Sequence, residues 1–467
     1  MMRSMPDAIA DRLLLYAFFA WAVACVIPPI GILLQFVAIA YIAWKADIKG
    51  IPALMILVLG KTHLVSATLS GEMALKLGIT ISPAISFVLF SFFKMVKDLF
   101  DKRYDVRSMM FMFFWFLSLF PAATMAFEAK MNNLTGIWSS PIMEFLVPTV
   151  YFWGLSVAKS YEMGKMYFLK RLLVVFAIVE LLMLVRIVNV FTFLDKPLML
   201  SILFLFMKSK NHVSTGWKAF AFLGVFVALL DMLFGRRLQL IALGTDVAGA
   251  DEYGSTFSRM GVFALTGIFI FWFSHRSQLN RLIPIILIVV NVLFVSYAIN
   301  TQADESKRVA VTFQYETMEE RFTAKLFGDR AAVWTMGWEE VKTPPYFIKD
   351  LRQFLVFDQK KGLSGKLLPH NQFLTLLGRH GWWLGLTLSI FIIWVWMRAL
   401  KALESCYDDP VLYTVFVPAG LSIFFVVGIT GQSVVGSNPW SNSIACLILP
   451  AIIYGVWQER RKMGYCV

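Results

Sequence analysis

Pro369-His370-Asn371-Gln372-Phe373-Leu374 closes the one long hydrophilic segment of this chain, residues 300–369. On both sides of it the sequence runs apolar in stretches of roughly 17–25 residues, the length a helix needs to cross a hydrocarbon core about 30 Å thick. This segment of about seventy residues is therefore the place with room for chemistry outside a membrane. Its closing histidine carries the side chain whose ordinary pKa lies nearest neutrality.

Composition excludes the soluble classes. Hydrophobic residues make up 58% of the chain, aromatic residues 15% and charged residues 16%, and the mean hydropathy is +0.69. A soluble domain carries about 25% charged residues. The net charge of +13 does not imply a nucleic-acid partner, because its lysines and arginines are spread over short loops between apolar runs, as the positive-inside bias of a membrane protein requires. Cys25, Cys406, Cys446 and Cys466 have no paired or CxxC spacing, so neither a disulfide framework nor a metal site is indicated. The apolar run after Asp11 lacks a small-residue cleavage site and reads as a retained first helix.

Fourteen apolar runs are candidate spans: 12–28, 30–44, 51–68, 81–97, 108–127, 141–158, 171–190, 195–208, 217–234, 260–275, 282–299, 381–398, 411–430 and 440–457. The second and eighth are short. The expected fold is thus an all-α polytopic membrane protein of about 12–14 transmembrane helices, with one long outer loop carrying short amphipathic helices. Residues 1–299 hold helices 1–11, 300–369 the loop and 370–467 the last three helices. Pro28-Pro29 divides the first apolar stretch into a hairpin, because proline cannot continue a helix ladder.

The short loops orient the chain. Arg3 and Arg12, Lys45 and Lys49, Lys94 to Arg107, Lys159 to Arg171, Lys208 to Lys218, Arg276 and Arg281, Arg398 and Lys401, and Arg460 to Lys462 all fall on one side. By the positive-inside rule that side is cytoplasmic, with both termini, and segment 300–369 lies outside. Arg236, Arg237 and Arg259 fall on the outer side against this bias, and Arg186 lies within an apolar run near its outer end. A charge at mid-bilayer costs about 2.5–3.5 kcal/mol on insertion scales, which makes such residues functional candidates. For Arg186 the alternative is snorkelling, or pairing with Glu180 or Glu144.

Three groups could carry chemistry. Ser258-Arg259 opens the apolar run from Met260, so Arg259 stands at a helix N-terminus, where backbone N–H groups and the dipole favour anions. Its guanidinium can grip phosphate in a bidentate way; the alternative is an interfacial arginine on lipid headgroups. In Gly328-Asp329-Arg330-Ala331-Ala332-Val333-Trp334, Arg330, Trp334 and then Trp338 recur every four residues and share a helical face. The tryptophans could stack on sugar rings, or anchor an amphipathic helix on the membrane. In His370-Asn371 a neutral imidazole could accept a proton from a sugar hydroxyl, while Asn371 could cap the following helix or orient a substrate. A lone interfacial histidine is more often structural. His63 and Lys61 repeat the signal more weakly.

Taken together these residues resemble the O-antigen ligase and O-antigen polymerase superfamily of bacterial inner-membrane glycan transferases. The resemblance rests on Ser258-Arg259, on Arg330-x-x-x-Trp334 before Pro344-Pro345, and on His370-Asn371-x-Phe373-Leu374-x-x-Leu377 with Gly381. It covers residues 255–390. The chain departs from the family pattern where Pro345-Tyr346-Phe347 stands for a glycine-x-glycine, where Arg379 replaces a common acidic residue, and where Gly385 falls one place late.

The resemblance implies a GT-C-like fold and transfer of a glycan from an undecaprenyl-diphosphate-linked donor to an acceptor hydroxyl at the periplasmic face of the inner membrane. It implies His370 as general base and Arg259 and Arg330 as diphosphate ligands. Arg186, Arg236, Arg237, Trp334, Trp338 and Asn371 are further substrate contacts. No cofactor and no metal is expected, because a lipid diphosphate is already an activated leaving group that arginines can stabilise. The acceptor would be a growing O-antigen or exopolysaccharide chain for a polymerase, or lipid A–core for a ligase, with polysaccharide-assembly proteins and the bilayer as partners. The helix count, higher than usual for ligases, favours the polymerase. A transporter or flippase would instead carry internal repeats around a central cavity.

Overall fold

The computed structural model describes residues 4–57, 83–101, 146, 148–184, 195–209, 213–242, 289, 292–293, 296, 334, 337–339, 341–344, 346–347, 371–406, 408–421 and 447–464. For residues 229–242 it describes the backbone alone. The chain is all-α, with no strand among the described residues.

The prolines at 28 and 29 do what their chemistry requires. Helix α1 (Asp7–Val26) ends at Ile27, whose backbone leaves the helical region (φ −128°, ψ 79°), and α2 (Pro28–Lys45) starts with proline in its first turn. There the missing N–H groups would have no intrahelical partner anyway. The two helices pack as a hairpin, and Tyr16 OH donates to Leu34 O across it at 3.3 Å. A 3₁₀ turn, Ile48–Gly50, leads into α3 (Ile51–Leu57), and α4 spans Pro83–Phe100. Next come α5 (Thr149–Val157), α6 (Tyr161–Leu184), α7 (Asp195–Lys208) and α8 (Thr215–Ala242). Helix α9 covers Gln372–Leu403 with a break at Gly381, a π-helical turn covers Leu412–Phe416, and α10 covers Leu449–Lys462.

Packing neighbours trace a closed circuit. From α1 it passes to α2, α4, α5, α10, the 412–416 turn, α7, α8, α6 and α3, and so back to α1; α9 joins it through α10. Trp153 on α5 fastens two stations of this circuit. Its ring stands edge-on to Phe87 of α4 at 4.8 Å, and its Nε1–H donates to Ala43 O of α2 at 3.0 Å. Gly154 and Gly455 let α5 and α10 approach closely, since a Cβ at Gly154 would stand 2.7 Å from Ala451 Cβ and one at Gly455 2.5 Å from Ala158 Cβ.

One end of the bundle is tied together by charge. Met5 N donates to the buried Asp47 carboxylate at 2.7 Å, and Lys49 Nζ reaches Asp7 at 2.6 Å and Met5 O at 2.9 Å. Ile48 N donates to Ser160 Oγ at 2.9 Å. Asp409 is the hub. Its carboxylate accepts from Tyr161 OH, Lys165 Nζ and Arg460 Nη2 at 2.9–3.0 Å and from the backbone of Val411 and Leu412. Arg460 also holds Glu162 and Asp408. Burial, then the Asp409 charge, pushes the Tyr161 phenol well above its ordinary value. Burial works against the charged forms of Lys165 and Arg460, but the hydrogen bond to Glu162 and the charges of Asp409 and Glu162 outweigh it, and both are raised. This network accounts for the start of α6 at Tyr161, upstream of its apolar run at 171: its first turns are held by these bonds together with the burial of Tyr161 and Phe168 against Phe416.

Among the described residues one stretch, Gly381–Leu403, is long and apolar enough to cross a membrane, with 23 residues at a mean hydropathy of 1.7. Helices α7 and α8 start within two residues of the runs expected at 195 and 217, while α8 runs on to Ala242.

Candidate active site at the Gly381 corner

The helix that follows the hydrophilic segment opens on a side-chain cap. Asn371 adopts an extended backbone (φ −132°, ψ 120°), and its Oδ1 accepts from Phe373 N and Leu374 N, each at 3.1 Å. Helix N-termini leave their first N–H groups without intrahelical partners, and asparagine is among the best residues to meet them. Asn371 is only 2% exposed. Of the two roles expected for it, the cap is the one seen, and its carbonyl oxygen is committed to it.

The helix runs only to residue 380. At Gly381 the backbone turns to φ 78°, ψ −178°, a conformation open to glycine and strained for any L side chain. Two backbone carbonyls occupy the space of a Cβ here, Phe347 O at 2.6 Å and Tyr346 O at 2.9 Å. Those same carbonyls accept from the first N–H groups beyond the break: Trp382 N donates to Tyr346 O at 2.8 Å and Trp383 N to Phe347 O at 3.1 Å. The second half of α9 is thus capped by backbone from the hydrophilic segment. A Cβ at Gly385 would stand 2.8 Å from the backbone of Leu376. In one unbroken helix residues nine apart would be about 13.5 Å distant along the axis, so the chain doubles back at Gly381. The single apolar run expected from 381 begins with a corner.

Ahead of the corner the described residues 334, 337–339 and 341–342 of the hydrophilic segment are helical and amphipathic. Trp334, Gly337 and Val341 are buried, at i, i+3 and i+7, whereas Trp338, Glu339 and Lys342 are exposed. This corrects the expected shared face. Trp334 is 1% exposed and belongs to the core, so it offers no open face to a sugar, while Trp338 is 40% exposed with Lys342 Nζ 5.6 Å from its ring centroid. A spacing of four residues overshoots a helical turn by about 40°, and the edge of the buried stripe falls between the two. Trp338, Tyr346, Phe347, Trp382 and Trp383 are all exposed aromatic residues of this region.

Arg236 and Arg237 are on the last turns of α8, where the backbone alone is described. His370, Arg259, Arg330, Arg186, Glu144, His63 and Lys61 lie outside the described residues. Glu180, offered as a partner for Arg186, is fully buried and pairs with Lys196 Nζ at 3.0 Å, joining α6 to α7. Among the described residues no three His, Cys, Asp or Glu side chains group in a way that could hold a metal ion.

Two features of the corner went unread in the sequence although their signals were present. Arg379-His380 followed by Gly381 is a helix C-terminus signature, with basic residues in the last turn and glycine beyond it. Gly337 and Val341 stand at helical spacing from Trp334 and mark the buried stripe. No protein-family model matches the chain, and no curated protein or solved structure does so either.

Proposed function

We propose that the chain is a polytopic inner-membrane glycosyltransferase that moves a glycan from an undecaprenyl-diphosphate carrier to an acceptor hydroxyl at the periplasmic face, and that it polymerises O-antigen or exopolysaccharide repeat units. The observation that carries this reading is the Asn371 cap, which makes His370 the residue immediately before a buried helix N-terminus. A titratable imidazole one residue ahead of the cap is placed in the sequence to act as a base at a helix N-terminus, whose dipole favours an anionic donor.

Membrane residence is supported by the surface. Leu15, Phe19, Leu33, Val37, Phe222 and Ile390 point outward from α1, α2, α8 and α9 and are 45% exposed or more. A soluble protein rarely leaves such broad apolar faces open. The Gly381–Leu403 stretch rises about 34 Å, enough for a hydrocarbon core of about 30 Å. At its first end stand exposed Trp382 and Trp383, and at the charged end of the bundle cations sit over interfacial rings, as Lys97 does over Trp44 at 4.4 Å from the ring centroid. Tryptophans at both boundaries are the aromatic belts of a membrane protein. The lysine- and arginine-bearing loops at 45–49, 159–165 and 460–462 meet at one end, in keeping with a cytoplasmic side.

In this reaction His370 takes the proton of the acceptor hydroxyl as that oxygen bonds to the anomeric carbon. The bond from that carbon to the diphosphate breaks, and the lipid diphosphate leaves with its charge met by Arg259 and Arg330. Arg186, Arg236 and Arg237 are secondary contacts to the carrier. In proteoliposomes with a lipid-linked donor, His370→Ala, Arg259→Ala and Arg330→Ala each abolish transfer while the protein still inserts, and EDTA leaves transfer intact. Full activity of His370→Ala sinks the general-base role. The product of a null strain separates polymerase from ligase: carriers holding a single repeat indicate the former, long lipid-linked chains the latter.

A further inference from the structure

We propose that Gly381, with the backbone of Tyr346 and Phe347, forms a clamp that positions the His370–Asn371 end of the short helix for transfer; this rests on the function proposed above. Three contacts carry the inference. Tyr346 O and Phe347 O accept from Trp382 N and Trp383 N. The same oxygens lie 2.9 and 2.6 Å from where a Gly381 Cβ would be. At Gly385 a Cβ would stand 2.8–2.9 Å from the backbone of Leu376 and Leu377, a space that only glycine leaves open.

The consequences follow from connectivity. The clamped carbonyls belong to the hydrophilic segment, a few residues beyond the amphipathic helix that carries Trp334 and Val341. The clamped amides begin the apolar stretch that continues to Leu403. Between them the short helix 372–380 is folded back against that stretch, with its Asn371 end buried. The clamp therefore fixes the angle of the corner. That angle in turn sets where the N-terminus of the short helix lies relative to the helical residues Trp334 and Val341. A base and a leaving-group ligand on different chain segments need such a strut, because displacement by about 1 Å can lower a rate by about a hundredfold.

No side chain substitutes for the glycine. A methyl group at 381 meets two carbonyl oxygens that already accept hydrogen bonds, so either the Tyr346–Phe347 backbone lifts or the backbone at 381 leaves φ 78°. Gly381 touches neither substrate in this scheme. It is a positioning residue.

The test uses the full chain in nanodiscs and reads structure and rate separately. Hydrogen exchange on wild-type protein is expected to find the Trp382 and Trp383 amides protected. In Gly381→Ala both become fast, while the Phe373 and Leu374 amides held by Asn371 stay protected. With a lipid-linked donor, kcat falls ten- to a hundredfold and KM for the donor stays within about twofold. Fast exchange at Trp382 and Trp383 in the wild type overturns the clamp, whether or not the variant folds. Lost protection in Gly381→Ala with unchanged kcat overturns the positioning role, and so does a rise in KM with kcat preserved. Full activity of His370→Ala removes the general base that the clamp is said to position, while the exchange data still decide the clamp itself.

Discussion

The two ends of this bundle are held by opposite means. At the charged end, Asp7, Asp47, Lys49, Glu162, Lys165, Asp408, Asp409 and Arg460 come from five separate parts of the chain and interlock through side chains. At the Gly381 corner the decisive contacts are backbone to backbone, two hydrogen bonds and two close approaches allowed by glycine. Side-chain networks are redundant, since most members have more than one partner. Backbone contacts at a glycine have no substitute. The charged end thus has the character of a fastening, and the corner that of a machined part whose angle matters.

The largest effect expected from this contrast is on stability and comes from the hub of the network. Asp409 is buried and receives two cationic groups, a phenol and two backbone amides. Asp409→Ala strands Lys165 and Arg460 in partly buried positions. Breaking a buried pair by removing one partner costs about 3–5 kcal/mol. The lower figure is expected, because Arg460 keeps Glu162 and Asp408. Thermal unfolding in detergent reads the loss. Transfer per folded molecule should be unchanged; a large fall in kcat without loss of stability would merge the two ends that the comparison separates.

A smaller effect is expected at the corner from Asn371→Ala. Loss of an asparagine N-cap costs about 1 kcal/mol, and Phe373 N and Leu374 N lose their acceptor. Here activity should fall by more than stability accounts for, because the frayed turn adjoins His370. Asn371→Asp restores the cap and most of the activity, which a direct role for the Asn371 amide N–H groups would not permit.

What the sequence made legible divides along the same line. The all-α class follows from apolar runs that are too long for strands, and the hairpin at Pro28-Pro29 from the chemistry of proline. Asn371 announced itself as a cap by type and by its place before an apolar run. The loops at 45–49, 159–165 and 460–462 could be grouped on one side by charge alone, but nothing in composition names Asp409 as their hub. Its partners lie as far as 248 residues away in sequence, and such pairings are set by packing. The separation of Trp334 from Trp338 was obscured because a four-residue spacing shares a face only to within 40°. The corner was hidden for another reason. Gly381 ends one helix and begins the next without a loop, so Arg379-His380-Gly381 reads as the polar boundary of an apolar run although it is a helix end.

Lys165 offers the finest test of the fastening, because its own deprotonation removes its contribution on the alkaline side. Its ammonium bridges Glu162 at 2.7 Å and Asp409 at 3.0 Å, and these bonds hold it above the ordinary lysine value in the folded state. A group raised on folding binds its proton more tightly in the folded than in the unfolded chain. Its contribution is therefore complete below the unfolded value, about 10.4, and fades as pH rises through the folded value. The difference in unfolding temperature between wild type and Lys165→Met should be small and flat from neutrality to about pH 10, and should shrink above that. It should also be well below the loss in Asp409→Ala, since Lys165 remains 23% exposed and Glu162 43%, where solvent screens the pair. A difference that shrinks instead on the acid side would assign the contribution to a carboxylate and not to the ammonium.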